Sequence, residues 1–162
     1  MDQTNRKLAQ QAGKLLTQNH MTVATAESCT GGLLSHTLTG VSGSSAYFMG
    51  GIIAYDNRIK MDFLGVRIET LRKHGAVSRE TAREMALGIR KAFDVDIGLS
   101  TTGIAGPTGG TPQKPVGLVW IGLSTARFTK TFECRFDGDR EHNKRSSVQV
   151  ILSRLLESLS TE

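Results

Sequence analysis

Thr25-Ala26-Glu27-Ser28-Cys29-Thr30-Gly31-Gly32 is the stretch on which the reading of this chain turns. It follows a short apolar run, Met21 to Ala24, and precedes Leu33, Leu34 and Leu38, which are spaced to share one face of a helix. The pattern predicts a strand over Met21 to Thr25, a turn, and a helix from about Gly31 to Leu38. Such a turn places Ser28 at a strand end, beside unpaired backbone N–H groups and the positive end of a helix dipole, where a developing oxyanion is stabilised. Gly31 and Gly32 let a ligand approach the backbone. The same residue types also build plain helix caps, so local composition leaves both readings open.

Outward from this turn, Leu8, Ala12, Leu15 and Leu16 recur at helical spacing within Asn5 to Gln18, giving an opening helix with one apolar face. After a loop over Thr39 to Ser45, Tyr47 to Tyr55 reads as a second strand, in which Gly50 and Gly51 suggest a bulge or a close backbone approach. Tyr55-Asp56-Asn57 then caps a short helix that carries Lys60 in its first turn, against the preference of cations for the other helix end. Ser78 caps a helix with the stripe Ala82, Met85, Ala86, Ile89 and Phe93. Val95 to Thr101 is a buried strand running into Thr102-Gly103-Ile104-Ala105-Gly106-Pro107-Thr108-Gly109-Gly110, a loop able to wrap a ligand with backbone N–H groups. It fits neither GxxxxGK[ST] nor GxGxxG, so it is no ordinary nucleotide loop.

Val116 to Ala126 and Phe128 to Phe136 read as an antiparallel hairpin, with Trp120 expected in the core. A last helix starts at Asp137-Gly138-Asp139 and carries the stripe Val148, Ile151, Leu152, Leu155, Leu156 and Leu159. Arg140, Lys144 and Arg145 lie in its first turns, where either a bound phosphate or the neighbouring acids would offset the dipole. Helices alternating with strands early and a hairpin late predict a three-layer α/β/α sandwich with a mixed, mostly parallel central sheet. In open sheets of this kind ligands gather at strand ends, which would bring together Ser28, Tyr55 and the loop after Thr102.

The totals narrow the function classes. The 162 residues fit one domain over 1–162, large enough to hold a core without disulfides or metal. Two cysteines, Cys29 and Cys134, make no disulfide framework and suit a reducing cytoplasm. No apolar h-region occupies the first twenty residues and no run is long enough to span a membrane, so neither a signal peptide nor a membrane partner is expected. The net charge of +5 is dispersed and aromatics are 6%, which offers little to nucleic acid.

Taken together, Ala26 to Gly32, Gly50-Gly51-Ile52-Ile53-Ala54-Tyr55-Asp56-Asn57 with Lys60, Thr102 to Pro107 with Gly109-Gly110, and Gly138-Asp139-Arg140 closely resemble the CinA C-terminal domain family, over roughly Leu8 to Leu159. Its characterised members include nicotinamide-nucleotide amidases. The resemblance implies hydrolysis of the carboxamide of nicotinamide mononucleotide to nicotinic acid mononucleotide and ammonia, for pyridine-nucleotide recycling in the cytoplasm. It also implies a Ser/Lys pair in place of a Ser/His/Asp triad, with Ser28 as nucleophile and Lys60 as base. Lys60 must then be neutral, its pKa lowered by burial or nearby positive charge.

By the same resemblance, Tyr55 and Thr102 assist catalysis by positioning or proton relay, and Asn57 orients the lysine. Arg140 binds the 5′-phosphate or otherwise supports the site, while Glu27, Thr30, Gly31, Gly32, Gly103 and Gly106 shape the substrate site, with N–H groups from Thr30 to Gly32 holding the oxyanion. No metal or cofactor is called for, and self-association fits relatives that assemble. His20, His36, His74 and His142 lie outside all of these motifs. Two rival readings remain at this point: a pyridine-nucleotide-binding or regulatory module without turnover, and a thiol hydrolase using Cys29.

Overall fold

The computed structural model describes residues 2–160. The chain runs α1 (Gln3–Gln18), β1 (Val23–Glu27), α2 (Leu33–Thr39), β2 (Phe48–Ile53), α3 (Asn57–Leu64), α4 (Ile68–His74), α5 (Arg79–Ala92), β3 (Ile97–Gly103), β4 (Leu118–Ser124), β5 (Thr129–Arg135) and α6 (Arg140–Ser160). The strands lie in the order β2-β1-β3-β4-β5. β1 is parallel to both β2 and β3, whereas β4 is antiparallel to its two neighbours. β4 alone therefore opposes the rest, and the sheet is mixed and mostly parallel as expected.

Two apolar layers cover the sheet. On one face Ala9, Ala12 and Leu16 of α1, Leu34 and Leu38 of α2, and Val148, Ile151, Leu152, Leu155 and Leu159 of α6 close over Val23, Ile97 and Ile121. On the other, Leu64 of α3 and Met85 and Ile89 of α5 close over Ala24 and Ala26. Each fully buried Leu, Ile or Met contributes ~1.5–3 kcal/mol of transfer free energy, so the two stripes hold the three layers together. β1 is buried along its whole length, and its side chains alternate between the layers. Val23, Thr25 and Glu27 take the α2 side; Ala24 and Ala26 take the α3/α5 side. That alternation, continued one residue past the strand, aims Ser28 at α3.

Several local readings need adjustment. Trp120 is only half-buried and lies under the Arg79 guanidinium, 5.7 Å from its ring centre, because its strand position faces the rim of α5 rather than the α1/α6 layer. α4 carries little apolar periodicity and has no side-chain cap at Arg67, which left it invisible in the sequence. The paired glycines of β2 do mark an irregularity: the register slips opposite Val23 and Ala24. At Gly51 a Cβ would run into Thr25 Oγ1 and come within 2.8 Å of Ser35 Oγ. Among the described residues no helix is long and apolar enough to cross a membrane.

Candidate active site

Ser28 is the first residue after β1, and its N–H donates to the Thr101 carbonyl at 2.9 Å, which fixes it between β1 and β3. Asp56 caps α3 by accepting from Arg58 N, and the fourth residue of that helix is Lys60. Lys60 is buried at 1% exposure, with its Nζ 3.2 Å from Ser28 Oγ, 2.7 Å from the Ala54 carbonyl and 3.2 Å from the Tyr55 carbonyl. Desolvation lowers its pKa from the usual 10.5, against the opposing pulls of Asp56 and Cys29. A neutral amine has two hydrogens and one lone pair. In that form the two carbonyls would take the hydrogens and leave the lone pair for the Ser28 hydroxyl, whereas the protonated amine donates to Ser28 Oγ.

These groups line a cavity of about 230 Å³ with Tyr55, Asn57, Thr102, Gly103 and Arg140. Cys29, Ala76, Val77 and Ala105 complete the wall; of these four only Cys29 was named from sequence, as a rival nucleophile. Ala76 and Val77 lie between α4 and α5, and Thr102 Oγ1 holds that segment by donating to the Ala76 carbonyl at 2.7 Å. Arg140, at the start of α6, reaches across the mouth, with one amino group donating to the Gly106 carbonyl at 2.8 Å and the other to Tyr55 Oη at 3.1 Å. Among the described residues no carboxylate lines the cavity, so its charge is that of Arg140 and, when protonated, Lys60. Such a site favours an anionic ligand.

The sequence expectations divide accordingly. Ser28, Tyr55, Asn57, Lys60, Thr102, Gly103 and Arg140 meet at the cavity; Glu27, Thr30, Gly31, Gly32 and Gly106 do not line it. Gly106 contributes only the carbonyl that holds Arg140. Glu27 is fully buried, and its carboxylate accepts from Thr30 Oγ1, Gly32 N, Leu34 N, Ser35 N and Ser35 Oγ at 2.7–3.0 Å, so it cannot reach a substrate. The N–H of Gly32 is committed to Glu27 and that of Gly31 to the Ser28 carbonyl, which removes both as oxyanion donors. Gly31 and Gly32 instead supply φ values of 61° and 98° for the turn. The hydrogen bonds that hold the lysine come from the carbonyls of Ala54 and Tyr55, and none joins it to Asn57 among the described residues.

Of the cations early in α6, Lys144 pairs with Glu141 at 3.7 Å and Arg145 lines a different cavity, beside Asp2 and Asn5. The helix start is capped internally, since Asp139 Oδ1 accepts from His142 N at 2.8 Å, and a phosphate is not needed there for balance. None of the four histidines lines the cavity that holds Ser28. Cys29 is buried in the α1/α6 layer, and desolvation pushes its thiol up to about 12. A thiol held so far from its ionised form is a poor nucleophile. Cys29→Ala is therefore expected to keep turnover within ~3-fold of wild type, since reactivity follows the thiolate, while losing some stability from the cavity it leaves. Steady-state rates and a thermal melt check both halves.

An open α/β sandwich with a serine–lysine pair in a crevice at the C-terminal ends of parallel strands is the class this geometry defines. The chain belongs to the CinA C-terminal domain family, whose model matches residues 5–159. It is 50% identical over 141 residues to a CinA-like protein of Cytophaga hutchinsonii, covering 87% of this chain and 34% of that one. A CinA-like protein of Endomicrobium trichonymphae is 47% identical over 155 residues, covering 96% and 36% respectively. The chain thus spans about a third of the length of these curated relatives. Among solved structures, the competence/damage inducible protein CihA from Agrobacterium tumefaciens superposes with a TM-score of 0.95 at 38% identity, covering 99% of this chain and 98% of its own. A CinA superfamily protein from Klebsiella pneumoniae follows at 0.94 and 32%, covering 98% and 99%.

Proposed function

We propose that this protein is a nicotinamide-nucleotide amidase that hydrolyses the carboxamide of nicotinamide mononucleotide through an acyl-enzyme on Ser28. The observation that carries the reading is the Lys60 amine, buried, lowered in pKa, held by two carbonyls and 3.2 Å from Ser28 Oγ. Lys60 takes the Ser28 proton as Oγ bonds to the carboxamide carbon, giving a tetrahedral oxyanion. As the C–N bond breaks, the same proton passes to nitrogen and ammonia leaves. Water then attacks the ester, Lys60 accepts its proton, and the Ser28 oxygen recovers a proton as nicotinic acid mononucleotide departs.

The other lining residues fit the parts of such a ligand. Thr102 spends its hydroxyl hydrogen on Ala76, so towards the carboxamide it acts as an acceptor for the NH₂ group. Tyr55 Oη accepts from Arg140 and keeps its own hydrogen to donate. A cavity of about 230 Å³ is small beside the ~300–1000 Å³ of sites that engulf a whole ligand. The pyridine ring and its amide enter, and the ribose phosphate stays at the mouth beside Arg140, whose remaining N–H groups meet the phosphate.

Ammonia release from nicotinamide mononucleotide, with a chelator present and nicotinamide riboside as the comparison, tests the reading. Chelator-resistant release from the mononucleotide, with much slower release from the phosphate-free riboside, is the expected result. A folded protein that binds the mononucleotide yet releases no ammonia would mean a binding or regulatory module instead.

A further inference from the structure

Glu27 takes no part in the chemistry just described, yet it is the acceptor around which the nucleophile's turn is wound. The N-cap residue of α2 is Gly32, which has no side chain to satisfy the first N–H groups of the helix. The carboxylate of Glu27 does so from five residues upstream, taking the N–H groups of Gly32, Leu34 and Ser35. It also accepts from the hydroxyls of Thr30 and Ser35, at 2.7 Å each. Thr30 is held from the far side as well, where its hydroxyl meets Thr101 Oγ1 at 2.7 Å.

Two consequences follow from this arrangement. The positive end of α2 is neutralised from within, so a developing oxyanion cannot use it. The chain from Ser28 to Gly31 is closed into a loop pinned at both ends. Within that loop Ser28 N is bound to Thr101 and Gly31 N to Ser28. The N–H groups of Cys29 and Thr30, the two residues that follow the nucleophile, have no acceptor in another residue among the described residues, that of Cys29 meeting only its own sulfur. We propose that Glu27 is a positioning residue: by gathering the donors of α2 and Thr30 onto its carboxylate, it holds the Cys29 N–H, the one of this turn that belongs to the cavity wall, where the oxyanion forms on attack by Ser28. This rests on the amidase reading above. It assigns Glu27 an effect on the transition state without contact to substrate, since the residue is fully buried and outside the cavity lining.

Glu27→Gln is the informative variant, because an amide has one accepting oxygen and must turn its NH₂ group against N–H or O–H donors at the other position. Expected is a fall in kcat of ~100-fold, the scale of a lost oxyanion donor, with KM for nicotinamide mononucleotide and Kd for nicotinic acid mononucleotide within ~3-fold of wild type. Affinity for pyridine-3-boronic acid, which forms a tetrahedral adduct on a reactive serine, should fall by a factor similar to kcat. A folded Glu27→Gln protein that melts earlier but keeps both kcat and boronate affinity overturns the proposal. If the variant does not fold, Ser35→Ala deletes one of the five donors and should lower kcat ~3- to 10-fold at unchanged product affinity; an unchanged kcat there overturns it as well. Should wild type capture the boronate but release no ammonia, the amidase reading fails, and Glu27 is judged by the boronate ratio alone. Wild type doing neither removes both.

Discussion

Ser28→Ala is expected to lower ammonia release from nicotinamide mononucleotide by ~10⁴-fold or more, the loss typical of deleting a serine nucleophile that works as a unit with its base. The structural cost should be small. The backbone of Ser28 stays bonded to Thr101, and the hydroxyl makes a single side-chain contact, with Lys60. Product affinity should therefore survive, because the Arg140 bridge and the apolar wall at Ala76 and Val77 are untouched. Calorimetric titration with nicotinic acid mononucleotide beside the ammonia assay separates the two effects. Turnover within ~10-fold of wild type would falsify the serine assignment, since no residual oxyanion or binding effect recovers that much.

Lys60→Met should reduce kcat by ~100- to 10,000-fold, the usual contribution of a positioned proton-transfer group, and also change the pH dependence. In wild type the base acts only when neutral, so kcat/KM rises with pH through the Lys60 pKa, which burial has lowered from 10.5. The residual activity of the variant should lack that limb. Stability carries the same signature. A cationic group whose folded pKa lies below its unfolded value binds more protons in the unfolded chain between the two values, so its share of stability rises with pH across that window. The difference in unfolding free energy, wild type minus Lys60→Met, should accordingly grow as pH rises from the folded pKa of Lys60 towards 10.5 and be flat below it. A difference that shrinks with pH would mean that Lys60 is held as a cation by a partner, and that it is not the base.

What the sequence disclosed and what it hid follow physical lines. The turn after β1, the capped helix carrying Lys60 and the glycine loop after Thr102 were legible because each needs particular residue types at particular spacings. Glu27 was misplaced for an instructive reason. A carboxylate beside a nucleophile looks like a site residue, and only the path of α2 reveals that its acceptors are consumed by five donors. Asn57 was credited with orienting Lys60, whereas the hydrogen bonds that hold it come from the carbonyls of Ala54 and Tyr55, and backbone groups have no signature in a sequence. Ala76 and Val77 stayed hidden for the same cause: plain apolar residues become a wall only once Thr102 pins their segment. Trp120 was expected in the core, whereas its place in β4 sets it at the rim under Arg79.

Apart from the Ala76-Val77 wall, the crevice is assembled from two separate blocks of the chain. Ser28, Tyr55 and Lys60 all fall between β1 and the end of α3, whereas Thr102, Gly103, Gly106 and Arg140 come after the crossover through α5. In the proposed assignment the first block does the bond-breaking and most of the second grips the ligand. Exchanging the later block between relatives would thus retune which amide is accepted and leave the reacting pair alone, so a lineage of such proteins can diversify its diet without reinventing its chemistry.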